Sequence, residues 1–400
     1  MPSAASQADF SADVIIVGAG HAGLALALIL ARADLRVALC GPSERVGGGR
    51  SVALLDPSMR RMAELGVAES IEAVGAPLRR LKIVDDSASL LRAPTLDFSA
   101  LELGLEQFGW NVENSVLADI LERAAAAHSA IVRIRAPVTH FAFEAKGACI
   151  ETLEGERLSA PLLVGADGRQ SPTRRAAGID ERATDYSQVA LTGVFSHRRP
   201  HEGASIEFHK RGGPFTLVPM APDETGAHRS SLVWAMPARE AEAIAALSDS
   251  DWALRVEREA HAVFGAMRFD AGRGRFPLWR ILATRLCGAR VALVGEAAHA
   301  LPPIGAQGFN LSLRDAAALG EIVAGTHAKG EDIGSPETLA AYQAGRAGDV
   351  GMRAAAVDML NRSLLADFAP LDAARATVLA GLTFVPPLRR AALTIGLGAL

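Results

Sequence analysis

The sequence predicts an α/β protein: a mainly parallel sheet wrapped by helices, an antiparallel β-sheet inserted into it, and a helical region at the carboxyl end. Three observations predict this class. Continuous apolar runs suited to strands buried on both faces, DVIIV (13–17), LRVALC (35–40) and PLLVG (161–165), alternate with Ala- and Leu-rich helical stretches. Over residues 186–237 the texture changes to short alternating segments separated by Gly and Pro, as in an antiparallel sheet. A buried-strand pattern, RVALVG, then returns at 290–295, and after Ala340 the chain reads as helix.

Taken in order, DVIIV and the helical HAGLALALILARA lead to LRVALC, which completes a strand–helix–strand unit by residue 40. Helical periodicity covers 59–74 and 115–128. AIVRIR and VTHFAFEAKGACIETLEGERL alternate and turn like strands of a hairpin. VALTGVFSH, ASIEFHK, PFTLVPM and RSSLVWAMP supply the inserted sheet, and residues 241–265 read as helices. At 400 residues the chain is long for one hydrophobic core, so two intimately joined domains are expected. The net charge of −4 leaves no basic footprint for nucleic acid. The three cysteines have neither metal nor redox spacing and point to a reducing compartment. The first residues lack the basic region of a secretory signal, and no uninterrupted apolar stretch has the ~20 residues of a membrane span. A cytoplasmic protein is expected.

Three stretches carry chemistry. Gly18-Ala19-Gly20-His21-Ala22-Gly23 joins a strand to a helix, the context that makes a GxGxxG turn informative. Its glycines permit a tight turn, close backbone approach to a pyrophosphate, and helix–strand packing, and the helix start offers N–H groups and a positive dipole end. A glycine turn in an ordinary α/β fold is the competing reading. The acid expected at the end of the second strand, to hold a ribose, is missing: Cys40, Gly41 and Pro42 stand there, and Glu44 is the nearest carboxylate. In the middle of the chain, VGADGRQSPTRR ends a buried strand with Asp167, followed by a Ser171 cap and by Arg174 and Arg175. A simple capped turn is the alternative there. Late in the chain, VGEAAHALPPIGAQGFN runs from Glu296 through Pro302, Pro303, Gly305, Ala306 and Gly308 to Asn310 at a helix start. Prolines hold such a loop extended, glycines keep side chains away from a flat ligand, and helix N–H groups stabilise a ring that turns anionic on reduction. An ordinary loop is the competing reading for this stretch, and His299 beside it reads as structural.

GAGHAG, VGADGRQSPTRR and VGEAAHALPPIGAQGFN, in that order and spacing, resemble the pattern of the group A flavin-dependent aromatic monooxygenases. The stretches GRSVALLDPSMRRMAELGV, FGWNVENSVLADIL, LSLRDAAALGEIV and the tail NRSLLADFAPLDAARATVLAGLTFVPPLRRAAL resemble their ubiquinone-biosynthesis hydroxylase subfamily. The resemblance implies a Rossmann-like FAD-binding domain with an inserted antiparallel substrate sheet and a C-terminal helical region. The FAD-binding parts are placed at 1–75, 111–182 and 281–345, the substrate parts at 76–110 and 183–280, and the helical region at 346–400.

It also implies roles for residues. Gly18, Gly20 and Gly23 approach the pyrophosphate, Arg50 heads a segment beside the flavin, and Val138 lies near the adenine. Asp167 belongs to a segment touching FAD and NADPH, and Glu296 stands where the family has Asp. Pro303, Gly305, Ala306, Gln307, Gly308 and Asn310 line the flavin ring, with Pro303, Gly305 and Gln307 placed closest to the chemistry. NADPH or NADH would reduce FAD, and O2 would form a flavin hydroperoxide that hydroxylates an aromatic ring, here a polyprenylated phenol. A hydroxylase of soluble aromatics and a non-catalytic subunit of a biosynthetic complex stay open as alternatives. So do two readings of the apolar tail: a helix lying on a membrane surface, or one packed on its own core or on a partner in a homodimer or complex.

Overall fold

The computed structural model describes residues 9–43, 49–87, 93–365 and 369–397. Its centre is a six-stranded sheet in the order Cys287–Gly288, Val291–Leu293, Leu162–Gly165, Val14–Val17, Val37–Cys40, Ile131–Ile134. All neighbours run parallel except the first pair. The strands are apolar without alternation because both faces are covered: every residue of Val14–Val17, Val37–Cys40 and Leu162–Gly165 is buried. The helix His21–Ala31 follows the first strand and packs so closely on Gln307–Ala328 that a Cβ on Gly320 would sit 2.4 Å from Ile29.

An eight-stranded sheet forms the second layer system, in the order His299–Ala300, Met267–Ala283, Glu181–His197, His228–Pro237, Gly213–Met220, Ala204–Lys210, Arg80–Asp86, Leu96–Ser99. The four segments expected between 186 and 237 are its middle strands. One face is sealed by the helices Ala238–Ala245 and Asp249–Glu259, with Trp252 buried against Phe195 and Phe269. Cross-strand register places Thr216, Val218, Ser231, Val233, Ala190 and Phe276 together on the other face. That face meets the segment leading out of the parallel sheet: a Cβ on Gly49 would lie 2.4 Å from the Gly272 carbonyl, and the Arg50 guanidinium stands 4.5 Å over the Phe276 ring.

Several elements differ from expectation. Ile131–Ile134 is not half of a hairpin; it closes the edge of the parallel sheet, and Val138–Phe143 pairs instead with Ala148–Thr152 in a separate four-stranded sheet. The helix expected over 59–74 is two helices, Asp56–Glu64 and Ala68–Glu72, divided at Gly66 with φ 76°. The 17-residue strand Met267–Ala283 was not anticipated, because three register shifts against Glu181–His197 and mostly intermediate burial erase its alternation. The helical end consists of Pro336–Leu365, Ala369–Phe384 and Pro386–Leu397.

The long helix Pro336–Leu365 is pinned to the parallel sheet by fully buried Tyr342, whose hydroxyl donates to the Leu293 carbonyl at 2.8 Å. Tyr342→Phe removes that donor and leaves a buried carbonyl short of a partner, so equilibrium denaturation should report a loss of about 1–3 kcal/mol. A variant as stable as the parent would show that this bond is not holding the helix.

Candidate functional site

The three glycine- or acid-bearing turns lie at the carboxyl ends of three adjacent parallel strands, where open α/β sheets hold ligands. They are locked side by side. Ala166 N–H donates to the Val17 carbonyl at 2.7 Å and Val294 N–H to the Gly165 carbonyl at 2.9 Å. Gly18, with φ 110°, has no room for a side chain: its Cβ would fall 2.3 Å from the Ala166 carbonyl oxygen. A Cβ on Gly23 would fall 1.9 Å from the Gly18 carbonyl oxygen. The cradle is therefore bare backbone.

Two helix N-termini open onto this edge. The helix His21–Ala31 begins at Gly20 and Gln307–Ala328 begins at Ala306, and neither has a side-chain cap or an acid in its first turn. The helices starting at Pro172 and Asp249, by contrast, are capped by Ser171 and Ser248. The first turns of the two uncapped helices meet, with the His21 and Phe309 rings 5.4 Å apart. Above the later one there is open space: a Cβ on Gly308 would meet nothing within 4 Å, and one on Gly305 only Gln307 Nε2 at 3.9 Å. These residues fit FAD. The bare turn and first N-terminus suit a pyrophosphate, and the second suits the edge of a flat ring that gains negative charge. Arg50 adds a guanidinium whose buried Nε has no hydrogen-bond partner among the described residues.

Asn310 and Gln307 are side chains the structure spends on protein. Asn310 is buried; its Oδ1 accepts from Leu55 N–H (3.0 Å) and Ser58 Oγ (2.6 Å), and its Nδ2 donates to the Ala53 (2.7 Å) and Ala306 (2.6 Å) carbonyls. It thus ties the late helix to the strand Ser51–Leu55 and holds Ala306 in its left-handed conformation, φ 55°. Gln307 Nε2 donates to the Gly305 carbonyl (2.9 Å) and, at 3.3 Å, to that of Gly396, while Oε1 accepts from Arg353 Nη1 (2.8 Å).

Behind the loop lies a charge network that the sequence reading missed. Asp315 is fully buried. It accepts from Gly295 N–H at 3.1 Å, meets His299 Nε2 at 2.5 Å and accepts from Arg346 Nε at 2.8 Å. Arg346 continues to Asp349 at 2.8 Å, and Asp349 to Arg353 at 2.7 Å. Burial pushes the Asp349 carboxyl up, but hydrogen bonds from both arginines outweigh it and leave the pKa below the ordinary 3.8. His299, read as structural, is one of its buried members. No spacing rule links residues 299, 315 and 346.

The remaining expected positions are placed as follows. Asp167 accepts from Ser171 Oγ and from Thr173 N–H (2.8 Å), so its carboxylate organises the following helix start. Arg174 is buried and joins the middle turn to the late one, donating to the Ala297 carbonyl at 2.7 Å and to Glu181. Glu296 and Pro303 are exposed at the edge. Val138 opens the strand Val138–Phe143 beyond the carboxyl end of Ile131–Ile134 and is partly buried. Glu44 lies outside the described residues. At the acid-free strand end, Arg133 Nη1 donates to the Gly41 carbonyl at 2.6 Å and to that of Ile134 at 2.9 Å. Burial pushes the neighbouring Cys40 thiol up to about 12.

Asp315→Asn removes the charge that neutralises buried Arg346, which then keeps only Asp349. A loss of about 3 kcal/mol in denaturant unfolding is expected, together with faster loss of flavin from the loaded protein. Unchanged stability would mean that Asp349 alone suffices. Cys40 should resist iodoacetamide near pH 8 in the folded protein and react after guanidinium unfolding, as peptide mass mapping can check.

Comparison with known proteins places this geometry. Residues 11–356 match the family model described as FAD binding domain. The chain is 31% identical to the ubiquinone hydroxylase UbiL of Rhodospirillum rubrum, over 98% of this chain and 91% of that protein. It is 31% identical to the 3-demethoxyubiquinol 3-hydroxylase of Escherichia coli, over 96% of this chain and 98% of that protein. Among solved structures, p-nitrophenol 4-monooxygenase PnpA of Pseudomonas putida superposes with TM-score 0.77 at 18% identity, covering 97% of this chain and 98% of that one. An FAD-complexed HpxO variant of Klebsiella pneumoniae gives 0.73 at 22% identity, covering 96% and 98%. At these identities the superpositions establish the shared fold. The family match, spanning all three strand-end turns, makes this chain a member of the FAD binding domain family.

Proposed function

We propose that the chain is an FAD- and NAD(P)H-dependent hydroxylase that places one oxygen atom of O2 on the ring of a polyprenylated phenol in ubiquinone formation. The observation that carries this reading is the wall beside the second helix N-terminus. Ala53, whose carbonyl is held by Asn310, belongs to one partly buried apolar cluster with Leu81, Ile83, Val218 and Leu382. Val218 shares its sheet face with Val233 and Phe276. An apolar wall next to the ring site suits an aromatic substrate with a hydrocarbon chain. The names of the two relatives, hydroxylases of ubiquinone and of 3-demethoxyubiquinol, support the same substrate class.

FAD, when bound and reduced by NADPH or NADH, supplies the electrons that activate O2, so that one oxygen enters the ring and the other leaves as water. The chain's own residues do the rest. Gly18, Gly20 and Gly23 would receive the pyrophosphate, and Arg50 would lie beside the cofactor. Pro303, Gly305, Ala306 and Gly308 present backbone to the ring, and the uncapped N–H groups after Ala306 stabilise negative charge at its edge. The apolar wall keeps water from the activated oxygen. Gln307 and Asn310 position the loop rather than the substrate.

The chain purified with FAD should show visible flavin absorbance and oxidise NADPH or NADH faster when a prenylated phenol is added. The product should carry one 18O when the reaction is run under 18O2. A protein that stays colourless with added FAD overturns the proposal. Turnover confined to small water-soluble phenols would reassign the substrate class.

A further inference from the structure

The last two helices, Ala369–Phe384 and Pro386–Leu397, form a hairpin bent by 107°. Pro386 and Pro387 cause the bend, since a proline bars the residue before it from the helical region and suits the first positions of the next helix. The inner side packs on the protein: Leu379 and Leu393 are buried with Leu55, Phe98 and Phe108. Arg389 clamps it there, donating to both Glu102 oxygens at 2.6 and 2.8 Å and lying 4.3 Å over the Phe98 ring. The apex has the opposite character. Phe384, Val385, Pro386, Pro387 and Leu388 are five consecutive exposed apolar residues, with Phe384 at 75% exposure, and Val378 and Ile395 on the two arms are exposed too. Soluble surfaces rarely leave such a run uncovered.

Residues 373–400 contain three arginines and no Asp, Glu or Lys. Of the two whose side chains are described, Arg389 is neutralised by Glu102, and Arg390 next to it is exposed and adds positive charge beside the apex. We propose that this apex docks on a bilayer carrying anionic lipid, with Phe384, Val385 and Leu388 at the acyl boundary and Arg390 among the phosphates. Neither arm spans the bilayer alone: Thr377–Phe384 and Pro386–Gly396 are about 12 and 16 Å long at 1.5 Å per residue, against a hydrocarbon core of about 30 Å, and the 107° bend together with the inner leucines buried on the protein favours surface docking. A second copy is the weaker occupant: a two-fold contact sets the same patch against itself, so exposed Arg390 would face its own image without a counter-charge from the tail.

The hairpin's inner residue Leu382 belongs to the cluster that includes Ala53 and Val218, so its other side is part of the proposed substrate wall. A prenylated substrate could therefore pass from lipid to ring site along the hairpin. This consequence rests on the proposed substrate class, whereas the docking itself does not.

The test uses the full chain loaded with FAD and co-sedimentation with vesicles of phosphatidylcholine, with and without phosphatidylglycerol. Binding should require phosphatidylglycerol and weaken as salt rises. The double variant Phe384→Ser/Leu388→Ser should lower the bound fraction about tenfold or more, with an unchanged melting temperature and unchanged NADPH oxidation on a short-chain soluble phenol. Arg390→Ala should weaken binding to the anionic vesicles only. Absence of vesicle binding, equal binding by the double variant, or a parent dimer that becomes monomeric in that variant without vesicle binding would each overturn the docking. Vesicle binding is read without turnover, so an inactive protein that still sediments would count against the hydroxylase reading alone.

Discussion

The contact of Gly18 with the Ala166 carbonyl is the constraint on which the site depends. It brings the turn after Val14–Val17 against the turn after Leu162–Gly165, and no side chain larger than hydrogen fits there. Because Gly23 is equally tight against Gly18, the helix His21–Ala31 must start at one place and at one angle. A cofactor that reaches from this turn to a second helix start therefore meets a cradle whose geometry is set by backbone contacts alone. Side-chain chemistry is kept for the far end, where Arg50 bridges the two sheets.

The second helix start is held by different physics. A buried carboxylate, Asp315, collects a backbone N–H, an imidazole and a guanidinium, and the guanidinium passes the connection to the carboxyl-terminal helices. Such a network adds little net stability over a well-packed apolar core, because desolvation offsets most of the attraction. Its contribution is register: Gly295, Gln307 and the helix Pro336–Leu365 can lock together in one way. The exposed glycine loop between them can then stay open toward a ligand without becoming loose.

Much of this was legible in the sequence because it depends on local pattern. Buried parallel strands announce themselves as uninterrupted apolar runs, and the three strand-end turns carry glycines and acids at readable spacings. The antiparallel strands between 186 and 237 alternate clearly. What stayed hidden depends on partners far apart in the chain. Asp315, Arg346, Asp349 and Arg353 look like ordinary helical charges until folding brings them together. The strand Met267–Ala283 lost its alternation to bulges, and Ile131–Ile134 resembled a hairpin arm because its true neighbour, Val37–Cys40, lies ninety residues earlier. Asn310 was recognised as important but expected against the ring; its amide instead joins two backbone segments, a use that cannot be inferred without knowing which strand lies opposite.

Asn310 also bears on how the molecule is made. Three of its four hydrogen bonds reach the Ala53 and Leu55 backbone and the Ser58 hydroxyl, some 250 positions upstream, while the fourth holds the Ala306 carbonyl of its own loop. Contacts of such long range form late, because a large loop must close before they give any return. During synthesis the amino-terminal strand–helix–strand unit emerges long before the segment that completes its pocket. The nascent chain therefore presents a half-built nucleotide cleft for most of its time on the ribosome, and cofactor capture becomes a closing event of biogenesis rather than an early guide.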